Sequence, residues 1–162
     1  MHSTCTDHTT KAARRYVSPS SRPLTQEEAE VRALSYLLKS PQCDKQIIDA
    51  VAETMVQLIA GEIGYLVPVP DHKGKIVANE RLSRAIALAS KGTFIVRLAL
   101  TREHPVDSQC NRHRLRVMPL DPEEHHIIRR HCPPITLGGQ HGSRLYFVDN
   151  VITSGSTIEA CR

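Results

Sequence analysis

Tryptophan is absent from this chain, and aromatic residues make up only 4% of it. The core therefore has to come from Leu, Ile, Val and Ala, and ten prolines imply a fair amount of loop. No apolar stretch approaches the roughly 18–20 residues that span a bilayer, which excludes a membrane partner. The opening "MHSTCTDHTTKAARRYVSPSSRP" lacks the continuous apolar region of a secretory signal, so a cytoplasmic location is expected. Five cysteines, an odd number at irregular intervals, give no disulfide framework and point to reduced thiols. Neither Gly-x-x-x-x-Gly-Lys nor Gly-x-Gly-x-x-Gly occurs, which excludes a Walker A loop and a dinucleotide fingerprint. No run of Lys and Arg with interleaved aromatics appears either, so a nucleic-acid partner stays open but is not favoured.

What is present suffices for one domain. The 162 residues, 40% of them hydrophobic, can bury one ordinary core. Residues 1–23, rich in Ser, Thr, His and Pro without periodicity, read as a flexible arm, and residues 24–162 as a single α/β domain that includes N-terminal helices. The net charge of +4 is unevenly placed: residues 61–100 hold six Lys or Arg against three Asp or Glu. Such an excess attracts phosphorylated metabolites or a nucleic-acid backbone.

Periodicity orders the elements. "LTQEEAEVRALSYLLKS" predicts a helix capped by Thr25 with Glu28 completing a capping box and Leu34, Leu37 and Leu38 on the apolar side. "CDKQIIDAVAETMVQLIAG" predicts a second, capped by Asp44, facing inward through Ile47, Ile48, Val51, Met55, Val56 and Ile59, and stopped at Gly61. The period then changes. "YLVPVP" reads as a strand, "ERLSRAIALASKG" as a helix with Leu82, Ile86 and Ala89 inward, and "TFIVRLAL" as a strand, together a right-handed βαβ unit. Further on, "HRLRVMPL" is an edge-strand candidate, "DPEEHHIIRRH" a short helix started by Asp121 and Pro122, "LGGQHG" a turn, and "RLYFVDN" the final strand.

The final strand runs into "VITSGSTIEACR". A loop at the carboxyl end of a parallel strand sits where open α/β sheets bind ligands. Its backbone amides and the hydroxyls of Thr153, Ser154, Ser156 and Thr157 can converge on an anion, with Gly155 permitting the tight turn. Asp149 suits the two hydroxyls of a ribose, or an Mg²⁺ that links hydroxyls to phosphate. Asn150 carries no charge. These residues describe a phosphosugar site; the bland reading is a capped helix with Asp149 bonded to a loop. Cys110 and His113, with His125, His126, His131 and Cys132 downstream, are a weaker zinc candidate that matches no strong ligand spacing.

"LYFVDNVITSGST" resembles the 5-phosphoribosyl diphosphate (PRPP) motif of type I phosphoribosyltransferases: an apolar strand, two adjacent acids, two variable residues, then Thr-Thr/Ser-Gly-x-Thr. "LVPVPDHKGK" resembles the pyrophosphate loop of that family, and "VPVP" followed by "NERLSRAIALA" is similar to its DNA-uptake competence subgroup. The resemblance spans about residues 60–160. It implies a mostly parallel, doubly wound α/β sheet, here truncated at the C-terminus and preceded by a helical region. It also implies Mg²⁺-dependent transfer of ribose 5-phosphate to a nitrogenous acceptor, with release of pyrophosphate.

Carried over residue by residue, Asp149 is expected on the ribose hydroxyls and the metal, and Asn150 replaces the second acid. Thr153, Ser154, Gly155, Ser156 and Thr157 match the 5-phosphate loop. Val69, Pro70, Asp71, His72, Lys73 and Gly74 match the pyrophosphate loop, with Lys73 meeting phosphate charge. Arg112, Arg114 and Arg116 lie in a polar segment suited to a lid. A final helix of about two turns leaves apolar sheet surface for another subunit or the N-terminal helices to shield, so a homodimer is expected. Asn150 and the short tail favour an alternative, a non-catalytic PRPP- or nucleotide-binding regulatory protein, while the acceptor stays undefined.

Overall fold

In the computed structural model, residues 11–17, 23–108, 112, 115, 118, 120–137, 140–142, 144–152 and 156–161 are described. Helix α1 (Gln26–Lys39) starts where its cap dictates: the Thr25 hydroxyl accepts from the Glu28 amide at 3.3 Å, and the Thr25 amide donates to Glu28 Oε2 at 2.9 Å. Helix α2 (Lys45–Leu58) starts at Asp44, whose carboxylate accepts from the Gln46 amide at 2.9 Å. Leu38 of α1 and Ile48 and Ala52 of α2 are buried. Leu37, expected on the inner side, is 39% exposed. Adjacent helical residues point about 100° apart, so the stripe through Val31, Leu34, Ser35 and Leu38 leaves Leu37 turned aside.

The βαβ unit follows. Strand β1 (Gly64–Pro68), helix α3 (Val77–Ala89) and strand β2 (Phe94–Val96) form a parallel crossover with Gly64 opposite Phe94. The helix starts three residues before Glu80, where the pattern placed it, and Arg81 ties it to the end of α1 by donating to the carbonyls of Leu38 at 2.9 Å and Ser40 at 2.7 Å.

The expected single strand "TFIVRLAL" is divided. Strand β3 (Leu100–Arg102) leaves β2's sheet and pairs antiparallel with β4 (Ile127–Arg129). The cause is parity: Phe94 and Leu100 would share a face of one straight strand, yet Phe94 packs with the helices and Leu100 in the cluster on the opposite side. The expected helix in "DPEEHHIIRRH" is also replaced. It shrinks to one 3₁₀ turn (Glu123–His125), closed by His126 at φ 50°, after which Ile127 and Ile128 enter β4. "LGGQHG" gives Leu137 to β5 (Ile135–Leu137) and its last three residues to the antiparallel β6 (Gln140–Gly142), while Gly138 and Gly139, where the turn is expected, lie outside the described residues. Most of "HRLRVMPL" lies outside the described residues.

Strand β7 (Leu145–Val148) pairs parallel with β1, giving the order β2-β1-β7, and helix α4 (Ser156–Cys161) comes last. Gly64 lets the two strands approach, since a Cβ there would lie 2.5 Å from the Arg144 carbonyl oxygen. Alternation splits the sheet's side chains between two clusters. Leu66, Tyr146 and Val148 join α1, α2 and α3; Tyr65, Val67, Val69 and Phe147 join Leu100, Ile127 and Ile135 from the antiparallel ribbons and Ile158 and Cys161 from α4. The chain is thus mixed α/β, with a three-stranded parallel sheet and four α-helices among the described residues. None of those helices is long and apolar enough to cross a membrane.

Candidate functional site

From β1 the chain crosses through α3 to β2 on one side, while β7 lies on the other. The connections diverge at the carboxyl ends of β1 and β7, which is where such sheets open a crevice. The Val69 amide donates to the Val148 carbonyl at 3.0 Å, so the loop after β1 begins directly beside Asp149 and Asn150. Pro68 and Pro70 fix the backbone where strand becomes loop; both are fully buried.

Asn79, on the first turn of α3, fastens the two ends together. Its Nδ2 donates to the Val69 carbonyl at 2.8 Å and to Asp149 Oδ1 at 3.2 Å, and its Oδ1 accepts from the Asn150 amide at 3.1 Å. Sequence reasoning missed this residue. The signal was there: Asn79 shares one helical stripe with Leu82, Ser83 and Ile86, all buried, and a polar side chain in such a stripe needs partners.

Burial raises the Asp149 carboxyl above its ordinary value, against the opposing effects of the Asn79 hydrogen bond, the Lys39 charge and the amides of Val151 and Asn150. Asn150 acts as a strut. Its Nδ2 donates to the Ser35 carbonyl of α1 at 3.0 Å, a position where an aspartate would set an acceptor against an acceptor.

The loop after β1 is a closed turn. Asp71 Oδ1 accepts from the amides of Lys73 and Lys75, both at 2.8 Å, and the Gly74 amide donates to the Asp71 carbonyl at 2.9 Å, with Gly74 at φ 82°. Within the expected pyrophosphate loop 69–74 the amides of Asp71, Lys73 and Gly74 are therefore engaged inside the turn, and its exposed side chains are those of His72 and Lys73. Arg102 braces the turn from β3 by donating Nε to the Asp71 carbonyl at 2.8 Å and Nη1 to the His125 carbonyl. Burial lowers its guanidinium below the ordinary value, while the charges of Cys161 and Asp71 act the other way.

Thr153, Ser154 and Gly155 lie outside the described residues; Ser156 and Thr157 open α4, both half-buried. His125 Nε2 lies 3.2 Å from Ser156 Oγ, while Nδ1 is buried without a hydrogen-bond partner. Burial lowers the His125 imidazole below its ordinary value, the Arg102 charge adds to this, and Glu124 opposes it. Of the lid arginines, Arg114 and Arg116 lie outside the described residues, and Arg112 Nε donates to the Met118 carbonyl at 2.7 Å. Cys110 and His113 of the zinc candidate are also outside, and among the described residues no three His, Cys, Asp or Glu are grouped to hold a metal. Asp149 is the carboxylate at the crevice with Asp71 committed through Oδ1 to its own turn. A single carboxylate among the described residues could contribute an oxygen to a hydrated divalent cation.

Behind Asp149 and Asn150 lies a cavity of ≈ 530 Å³, walled by α1, α2 and residues 11–16 of the arm. Lys11 anchors that arm through Glu62, 2.9 Å away, and Arg144 reaches the other oxygen of Glu62 at the same distance. No protein-family model, curated protein or solved structure matches the chain.

Proposed function

We propose that the chain binds PRPP at the carboxyl ends of β1 and β7 and, on a phosphoribosyltransferase-like fold, transfers its ribose 5-phosphate to a nitrogenous acceptor. One observation carries this reading: motifs about 80 residues apart, 69–74 and 149–157, start side by side, joined by the Val69–Val148 hydrogen bond and by Asn79. Asp149, oriented by Asn79, accepts from the ribose hydroxyls. The loop 153–157 receives the 5-phosphate, whose remote binding energy fixes the reacting carbon. Lys73 meets the pyrophosphate from an exposed position. As positive charge builds on the ribose ring, the Asp149 carboxylate sits where it opposes that charge, held in place before reaction begins. Mg²⁺, bound with Asp149 and substrate oxygens, supplies positive charge against the departing pyrophosphate.

A second reading, a non-catalytic PRPP- or nucleotide-binding regulatory protein, is favoured by Asn150. Its amide is engaged on Ser35, so the position that holds a second acid in the resembled family serves here as a structural tie. Titration calorimetry with PRPP, with and without Mg²⁺, and pyrophosphate release over a panel of purines, pyrimidines and amines separate the two. Saturable binding with turnover supports the transferase; binding without turnover supports the regulator. No binding by the parent protein, or equal binding by Asp149→Ala, would reject both.

A further inference from the structure

We propose that the cavity behind Asp149 binds an apolar molecule bearing a single N–H or O–H donor, the chemical class of a plain aromatic nitrogen heterocycle. Its ≈ 530 Å³ falls within the size of small-molecule sites, roughly 300–1,000 Å³. The helical walls are aliphatic: Val31, Leu34 and Leu38 from α1, and Ile47, Val51 and Met55 from α2; the arm closes the remaining side with Lys11, held by Glu62, the exposed Arg14 and Arg15, and Tyr16. Two hydroxyls among the lining residues already donate to helical carbonyls, Ser35 Oγ to Arg32 at 2.7 Å and Thr54 Oγ1 to Ala50 at 3.0 Å.

At the sheet end the pattern reverses. Asn150 gives its Nδ2 to Ser35, which leaves its Oδ1 as an acceptor beside the Asp149 carboxylate, whose Oδ1 already accepts from Asn79. Acceptors at one end of an apolar chamber select a ligand with one donor. A nucleobase lying between α1 and α2, with several donors and acceptors along its edges, would set most of them against the aliphatic side chains of those helices, where unpaired polar groups are costly. Binding does not rest on the phosphoribosyl reading; a role for the bound molecule as the acceptor in that reaction does.

The experiment is calorimetry on the full chain without PRPP, using indole, indene and adenine. Indene keeps the ring shape and replaces N–H by CH₂. Indole should bind saturably at about millimolar concentration or below, indene about tenfold more weakly, and adenine without saturation. Val51→Trp, which places a bulky ring inside the cavity, should weaken indole binding at least tenfold while the circular dichroism spectrum is kept. Leu34→Phe serves the same purpose should that variant not fold, and the indole–indene comparison on the parent protein needs neither. Equal affinity for indole and indene, adenine binding as tightly as indole, no saturable indole binding, or indole binding undiminished in a folded filled variant would overturn the proposal. Because PRPP is absent, failure here is distinct from failure of the transferase reading.

Discussion

Asn79→Ala removes at one stroke the partners of the Val69 carbonyl, the Asp149 carboxylate and the Asn150 amide. Losing one partner of a buried polar group costs about 1–3 kcal/mol, and these three are coupled, so a loss of about 2–4 kcal/mol in urea-unfolding free energy is expected. Asn79→Asp keeps an acceptor for the Asn150 amide but sets a second carboxylate against Asp149. Its stability should therefore fall further at pH 8 than at pH 5; a pH-independent loss would show that Asp149 does not feel position 79. His125 gives a second residue-level test. Its imidazole is buried and titrates below its ordinary 6.5, among Arg102, Glu124 and His126. The unfolded chain thus takes up the proton first. The contribution of His125 to stability is complete above pH 6.5 and is lost as pH falls from there through the lower folded value. Unfolding free energies of the parent and His125→Gln, measured from pH 8 to 5, should converge toward acid pH; a constant difference would mean that the ring is solvated.

The elements differ in how far the sequence revealed them, and the difference follows the range of the forces involved. Both N-terminal helices were legible because their determinants are local: Thr25 with Glu28, Asp44, and a 3.6-residue apolar period. The break after β2 was not, because it depends on Phe94 and Leu100 packing on opposite faces of a sheet whose third strand, β7, comes some 50 residues later. "HHIIRR" failed likewise: Asp121 and Pro122 signal a helix start, but the left-handed His126 ends the turn and the antiparallel partner β3 claims the isoleucines. Gly64 shows the same long-range dependence. Its missing side chain lets β1 lie against Arg144. Gly64→Ala should cost about 1–3 kcal/mol by overpacking. Amide exchange at Tyr65, which donates to the Arg144 carbonyl at 2.9 Å, should accelerate with it; unchanged exchange would mean that the strands absorb the methyl group.

For the whole molecule, the candidate site was legible in its two motifs but not in what joins them. A strand followed by Thr, Ser and Gly is a local pattern; the order β2-β1-β7, which sets the loop after β1, Asn79 and Asp149 side by side, arises only from the packed sheet. Both faces of that sheet must be covered for the site to hold, and Cys161 reports on the less regular one. It is almost fully buried, packs in the cluster of Tyr65, Val67 and Val69, and donates its thiol to the Thr157 carbonyl at 3.0 Å. Burial, with the Asp149 charge adding to it, pushes the thiol up to about 12. Thiolate is the species that alkylates, so Cys161 should be inert toward iodoacetamide at pH 8 while the half-exposed Cys132 reacts. In rising urea, modification of Cys161 should follow the global transition seen by circular dichroism, together with Cys43, which is buried under the other face. If Cys161 reacts well before Cys43, α4 and the ribbons open as a unit separate from the helical face, and Asp149 would then sit on the boundary between two cooperative bodies. Simultaneous protection is the expected result, because β1 and β7 contribute side chains to both clusters and neither layer can leave without exposing the strands that the other needs.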